Sequence, residues 1–183
     1  MTQQLLERLA SLRRSECRTL LSEHGLQPVH LEALNYLSVC NRYSDTPKAV
    51  TEFLGQTKGT VSQTLKVLEK KHLLEKVTDT QDRRVTHLSL TKAGVELVTL
   101  IQGSASLVAA LDSLAPANLN SINVSLKALL TSYQENNNYL TFGQCLSCIH
   151  NIKQGDGRFL CGLTQEALSQ GDVELICREH TLD

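Results

Sequence analysis

The apolar spacing of this chain changes period once, between Lys58 and Leu90, and that change limits the fold more than any other feature. From Lys58 to about Lys71, Val61, Leu65 and Leu68 recur at helical spacing, with Ser62, Gln63, Lys66 and Lys70 off the stripe. Leu74 to Val77 and Val85 to Leu90 then alternate apolar and polar residues, as half-buried strands do. Thr78 to Arg84 between them is a polar hairpin tip. Upstream, Thr46 reads as an N-cap, Pro47 as a first helical residue and Gly55 as a stop, enclosing a short helix with Val50, Phe53 and Leu54. Two short helices joined by a turn and followed by a hairpin are the order of a winged helix-turn-helix.

The flanking segments are helical. Leu5 to about Leu21 carries leucines near helical spacing, Gly25 stops it, and Leu31, Leu34 and Leu37 follow Pro28 on one face. Thr91 caps a helix through Val95, Leu97, Val98 and Ile101. Pro116 opens a last one with Leu119, Ile122, Leu126, Leu129, Leu130 and Tyr133. With aromatics at 4% and no Trp, the core must come from Leu, Val, Ile and Ala, which suits helices. The expected class is therefore mainly α with a small β-hairpin. The first and last helices carry more Leu and Ile than a monomer tolerates on its surface, so a homodimer is expected. The Gln134–Asn138 run ends the pattern, giving a winged helix and dimerisation domain over 1–136 and a cysteine-rich tail over 137–183.

The formal charge is −1, but its distribution is uneven. Lys58 to Arg84 holds seven basic and four acidic residues, and the tail holds three basic and six acidic ones. A basic middle in a neutral chain points to local phosphate binding. Thr57, Lys58 and Thr60 open the fourth helix with small or cationic groups suited to phosphate oxygens. Ser62, Gln63 and Lys66 can reach base edges, Gln pairing with adenine and Lys donating to guanine. Arg83 and Arg84 at the hairpin tip suit an adjacent phosphate or the minor groove. The expected partner is duplex DNA.

The run LLEKVTDTQDRRVTHLSLTKAGVEL resembles the wing of the MarR-type (multiple-antibiotic-resistance regulator) family, with its Asp-x-Arg and following Leu-Thr-x-x-Gly. GLQPVHLEALNYLS is similar to that family's second helix and TVSQTLKVLEKKHLL to its recognition helix. The resemblance covers roughly Leu5 to Tyr133. It implies a dimer joined by the first and last helices, bound to a pseudo-palindrome, with Asp82 bracing the wing and Arg84 facing DNA. His72 stands where the family usually has Gly, so the end of the recognition helix is expected to be tighter or tilted. The wing is also less basic than such a role favours, which implies modest affinity.

Four of the six cysteines crowd into the tail. Cys145 and Cys148 form a Cys-x-x-Cys pair, and Cys161 and Cys177 follow after gaps of 12 and 15 residues. Cys17 and Cys40 fall on main-domain helices and read as small buried hydrophobes. A tail of this length has too little apolar surface to order itself, and four thiolates around one metal centre would staple it. Zinc is the first reading and a [4Fe–4S] cluster on the same cysteines the alternative, since spacing does not separate them. A thiol switch is a third reading, and His150 or His180 could replace one cysteine.

The N-terminus lacks the apolar run of a signal peptide, and no stretch approaches the ~18 apolar residues of a membrane span. A cytoplasmic protein without a membrane partner is expected. No nucleotide-binding or metalloprotease motif occurs, so an enzyme is not expected. A metal-containing enzyme or electron carrier on the tail is the competing class. It would need an open coordination position and spare carboxylates, whereas Asp156, Glu166, Asp172 and Glu174 read as solvent-facing charge.

Overall fold

The computed structural model describes every residue except Gln81, Ser104, Asn138, Asp156 and Asp183, and the side chain of Ala105. Gln81 of the hairpin tip, Asn138 of the boundary run and the acidic Asp156 thus lie outside the described residues. Among the described residues, eight α-helices and five strands follow in the order α1 Thr2–Glu23, α2 Pro28–Val39, α3 Pro47–Leu54, α4 Lys58–Lys70, β1 Leu74–Thr78, β2 Thr86–Leu90, α5 Lys92–Gln102, α6 Ala105–Asp112, α7 Pro116–Asn136, β3 Asn151–Lys153, β4 Phe159–Cys161, β5 Glu166–Leu168 and α8 Gln170–Glu174.

The start signals act as their chemistry requires. Thr46, Thr57 and Thr91 each accept a hydrogen bond from the backbone N–H three residues on, from Ala49 (3.3 Å), Thr60 (3.2 Å) and Gly94 (3.1 Å). Gly55 ends α3 in the left-handed conformation, at φ 59°. The core gathers around α2, whose Ala33, Leu34 and Tyr36 are fully buried with Val50 of α3, Val61, Leu65 and Leu68 of α4, Leu74 of β1 and Ile101 of α5. The β1–β2 hairpin is antiparallel, pairing Leu74 with Leu90 and Thr78 with Thr86.

Helix α4 ends at Lys70, and His72 follows its C-cap Lys71. The His72 φ of 56° is a left-handed conformation that a glycine adopts without strain. The Leu-Thr-x-x-Gly motif has a spatial cause. A methyl group at Gly94 would lie 2.0 Å from the Leu73 carbonyl oxygen, which itself accepts the Thr91 N–H. Only a residue without a side chain lets α5 approach the end of α4 this closely.

Two elements lie outside the reading from apolar spacing. The segment between Gly103 and Pro116 contains a helix, α6, that apolar spacing does not reveal, because its leucines and valine stay exposed. In the tail, Glu166–Leu168 form strand β5, and a helical turn follows it as α8. Ser169 is the N-cap, accepting from the Asp172 N–H while the Asp172 carboxylate reaches back to the Ser169 N–H.

The tail packs against the winged helix rather than beside it. The chain from Leu175 to Arg178 lies between the end of α2 and residues 143–145. Ile176 exchanges backbone hydrogen bonds with Val39 and Asn41, Leu175 accepts from Cys145, and Cys177 donates to Gly143. Phe142 enters the main core edge-on to Tyr36 and Phe53, with centroids 5.8 and 5.2 Å apart.

Candidate nucleic-acid interface and cysteine centre

Helix α4 is held by its inner face, Val61, Thr64, Leu65 and Leu68, and turns Ser62, Gln63 and Lys66 to solvent. Lys58 is exposed at its N-terminus. The Thr57 and Thr60 hydroxyls lie 3.0 Å apart, so both are partly engaged in capping. Lys48 of α3 was not singled out by sequence, yet it lines the same groove as Lys58, Ser62 and Lys76. Lys76 is already paired with Glu69 at 2.5 Å, so the exposed Lys48 is the cation that the groove adds to the reading surface.

At the wing tip Asp82 is hydrogen-bonded across the turn. Its amide donates to Asp79, its carboxylate accepts from the Arg84 amide (3.0 Å), and it holds the Arg84 guanidinium through Nε and Nη2 at 2.9 Å each. The Arg84 hydrogen bond keeps the Asp82 carboxyl below the usual carboxylate range. Arg84 is therefore exposed but half-neutralised, whereas Arg83 is exposed with no ion pair among the described residues. The base of the wing is fastened by His87 on β2, which spans Asp45 before α3 (2.6 Å) and Asp79 just after β1 (3.3 Å).

Residues 24–85 match the sequence model of the MarR family. The matched third of the chain runs from the start of α2 to the wing. Solved structures align over more of the chain. A MepR mutant from a multidrug-resistant S. aureus clinical isolate aligns with a TM-score of 0.65 at 22% identity, over 73% of this chain and 98% of that one. The S. aureus MepR–DNA complex aligns at 0.57 and 22%, over 72% and 98%. The transcriptional regulator Tm0710 from Thermotoga maritima aligns at 0.52 and 23%, over 74% and 95%. At these identities the likeness is one of fold, and that fold is the winged helix-turn-helix. No curated protein matches the sequence.

The structure brings the four tail cysteines together. Cys145, Cys148, Cys161 and Cys177 all line one cavity of about 30 Å³, with His150, Asn41 and Tyr43 also on its wall. Burial pushes the Cys145 thiol up to about 11, with Cys177, Cys148 and Cys161 adding to the effect. Cys17 and Cys40 are not on this wall. Among the described residues no three His, Cys, Asp or Glu side chains are grouped closely enough to hold a single metal ion. His180 is committed elsewhere, Nδ1 to Thr141 (2.6 Å) and Nε2 to Ser147 (3.0 Å). Glu166 and Asp172 are not simply solvent-facing. Glu166 accepts from Tyr43 Oη at 2.6 Å, and Asp172, mostly buried, caps α8 and faces Arg42 at 3.6 Å.

Asn41 carries a signal that sequence could not supply. Its side chain is 1% exposed, Oδ1 accepts from the Tyr43 amide, and Nδ2 is buried without a partner. Next to it, Arg178 grips Glu52 of α3 through both Nε and Nη2, and its amide donates to Ser44 Oγ at 2.8 Å. One end of the cysteine centre is thus tied to the helix that supports α4. No helix among the described residues is long and apolar enough to cross a membrane.

Proposed function

We propose that this chain is a dimeric transcription regulator, acting as a repressor, that reads duplex DNA with α4 and carries a metal centre on Cys145, Cys148, Cys161 and Cys177. The observation that carries the DNA-binding part is the pairing of an exposed, uncommitted α4 face with a braced wing beside it. Ser62, Gln63 and Lys66 would meet base edges in the major groove, and Lys58, Lys48 and Arg83 would meet phosphates. The fold match to MepR, solved in two cases with DNA, supports the docking direction.

The dimer reading rests on unpartnered apolar faces. Helix α7 buries none of its residues within the chain, and Ile122, Leu126, Leu129 and Leu130 stand exposed on it. Leu5, Leu9 and Leu12 of α1 are exposed likewise. A second copy covering both helices would remove this surface from water.

The metal-centre reading rests on four cysteines, distant in sequence, sharing one cavity wall. The test of the whole proposal is selection of bound duplexes from a random pool, followed by titration of the best site against salt. Affinity for one two-fold-related site, falling steeply with salt, is the expected result. Equal binding to all duplexes would leave only a non-specific DNA-binding protein.

A further inference from the structure

We infer that Arg178, carried by the tail, is a positioning residue for DNA binding: it occupies the Glu52 carboxylate and so leaves the ammonium groups of Lys48 and Lys58 to the phosphates. The inference rests on the DNA reading above and adds to it the way in which the tail acts on the reading surface.

The backbone around Arg178 is held on both sides. Ile176 donates to the Val39 carbonyl and accepts from the Asn41 N–H, Cys177 donates to the Gly143 carbonyl, and the Arg178 N–H donates to Ser44 Oγ at 2.8 Å. Ser44 is itself fully buried, and its carbonyl accepts from Tyr36 Oη at 2.7 Å. From this fixed point the guanidinium reaches α3. Nε and Nη2 each donate to one oxygen of the Glu52 carboxylate, Nη2 at 3.0 Å, while Nη1 turns to the exposed Glu179. Two parallel N–H···O bonds are the geometry in which arginine holds a carboxylate most firmly. The side chains of Arg178 and Glu52 are only 20% and 29% exposed, so salt and water screen this pair less than an open surface pair.

Glu52 has other cations beside it. Lys48 stands four residues earlier on α3, the spacing that puts two side chains on one helical face. Lys58 opens α4 and lines one groove with Lys48 and Thr51. Both lysines are exposed, and neither is in an ion pair among the described residues. The Arg178 hydrogen bond chiefly holds the Glu52 carboxyl below its ordinary range, against the effect of burial, and the charges of Arg178, Lys48 and Lys58 act in the same direction. All three cations therefore feel one carboxylate. With Arg178 in place, its oxygens are already engaged from the tail. Without Arg178, Lys48 and Lys58 are the cations left beside Glu52, and an ammonium drawn to a carboxylate has less to give a phosphate.

Binding of the full chain is to be measured over a range of salt concentrations on two duplexes, the one selected from the random pool and one of unrelated sequence. Arg178→Ala is expected to weaken both by the same factor and to flatten the salt dependence by about one unit for each lysine withdrawn. Glu52→Gln removes the competing carboxylate and should bind at least as tightly as the wild type. The double variant, Arg178→Ala with Glu52→Gln, should recover the wild-type affinity and slope. A role confined to holding α3 in place predicts another order: Glu52→Gln would weaken binding as Arg178→Ala does, and the double variant would be no better than either. That order would overturn the inference. Should Arg178→Ala fail to fold in thermal melts, Arg178→Gln takes its place in the same cycle. A slope unchanged by Arg178→Ala, in a chain that still prefers the selected duplex, would overturn the inference and leave the DNA reading standing. A wild-type chain with no affinity for any duplex would overturn the DNA reading itself, and the inference with it.

Discussion

At the residue scale the winged helix separates side chains that read bases from side chains that hold the backbone. Gln63 and Lys66 are exposed on α4 with no structural duty, so their removal should leave the fold intact. Gln63→Ala is expected to cost about 1–3 kcal/mol on the preferred site and to relax preference at one position. Arg83→Ala should weaken all duplexes evenly and flatten the salt dependence by about one unit. Arg84→Ala should do less to DNA than Arg83→Ala, because the Arg84 charge is shared with Asp82, and should loosen the wing turn instead. Binding measured on matched and mismatched duplexes at two salt concentrations separates the three. Uniform losses from Gln63→Ala would remove it from base reading. A purely structural residue makes the contrast. Gly94→Ala would press a methyl against the Leu73 carbonyl oxygen and should destabilise the domain by about 1–3 kcal/mol. Chemical denaturation measures that loss, and an unchanged midpoint would mean that α5 can retreat.

At the scale of elements, the hairpin is a lever fastened at its base by His87. The Asp45 hydrogen bond first, and then Asp79, hold His87 protonated above its ordinary range against the opposing effect of burial. At Asp45 burial outweighs the histidine and raises the carboxyl instead, so the two partners move in the same direction. His87 faces two carboxylates, and its charge governs the clasp. A folded-state value raised above the unfolded one gives a stabilisation that is complete below about pH 6.5 and lost as pH rises through the folded value. The stability gap between wild type and His87→Gln should therefore narrow from pH 6 to pH 8.5, and thermal melts at both pH values check it. A gap independent of pH would mean that the ring serves by packing alone. The winged helix itself was legible because its signals are local. Three capping threonines, Gly55 and the change of apolar period each act within a few residues. Helix α6 was not legible, since its apolar residues face outward and show no buried stripe. The strands of the tail are three residues long, too short for alternation to register, and they pair antiparallel in the order β3-β4-β5. Lys48 and Asn41 escaped for the same reason: their importance lies in what the fold places opposite them.

At the scale of the molecule, the exposed apolar faces and the position of the tail bear on one question, how two recognition helices are held at a fixed spacing. A dimer reads two half-sites only if its interface fixes their separation at about one helical turn, near 34–36 Å. In this chain the candidate interface is α1 with α7, and neither helix is stabilised by the core along most of its length; α1 buries only Cys17 and Leu21, and α7 nothing. An isolated helix of this kind gains little from its own hydrogen bonds in water, so its order must come from a partner. Charge placed on the exposed stripe should prevent that association without disturbing the winged helix, whose core lies elsewhere. Leu126→Asp together with Leu130→Asp is expected to convert a dimer into a monomer in light scattering. The separate half-site contacts should persist while the avidity of joined sites disappears, so affinity for the full site should fall about 10²–10⁴-fold and affinity for a half-site should change little. A wild-type chain that scatters as a monomer at micromolar concentration, or a double variant that keeps full-site affinity, would place the two-fold contact somewhere other than α1 and α7.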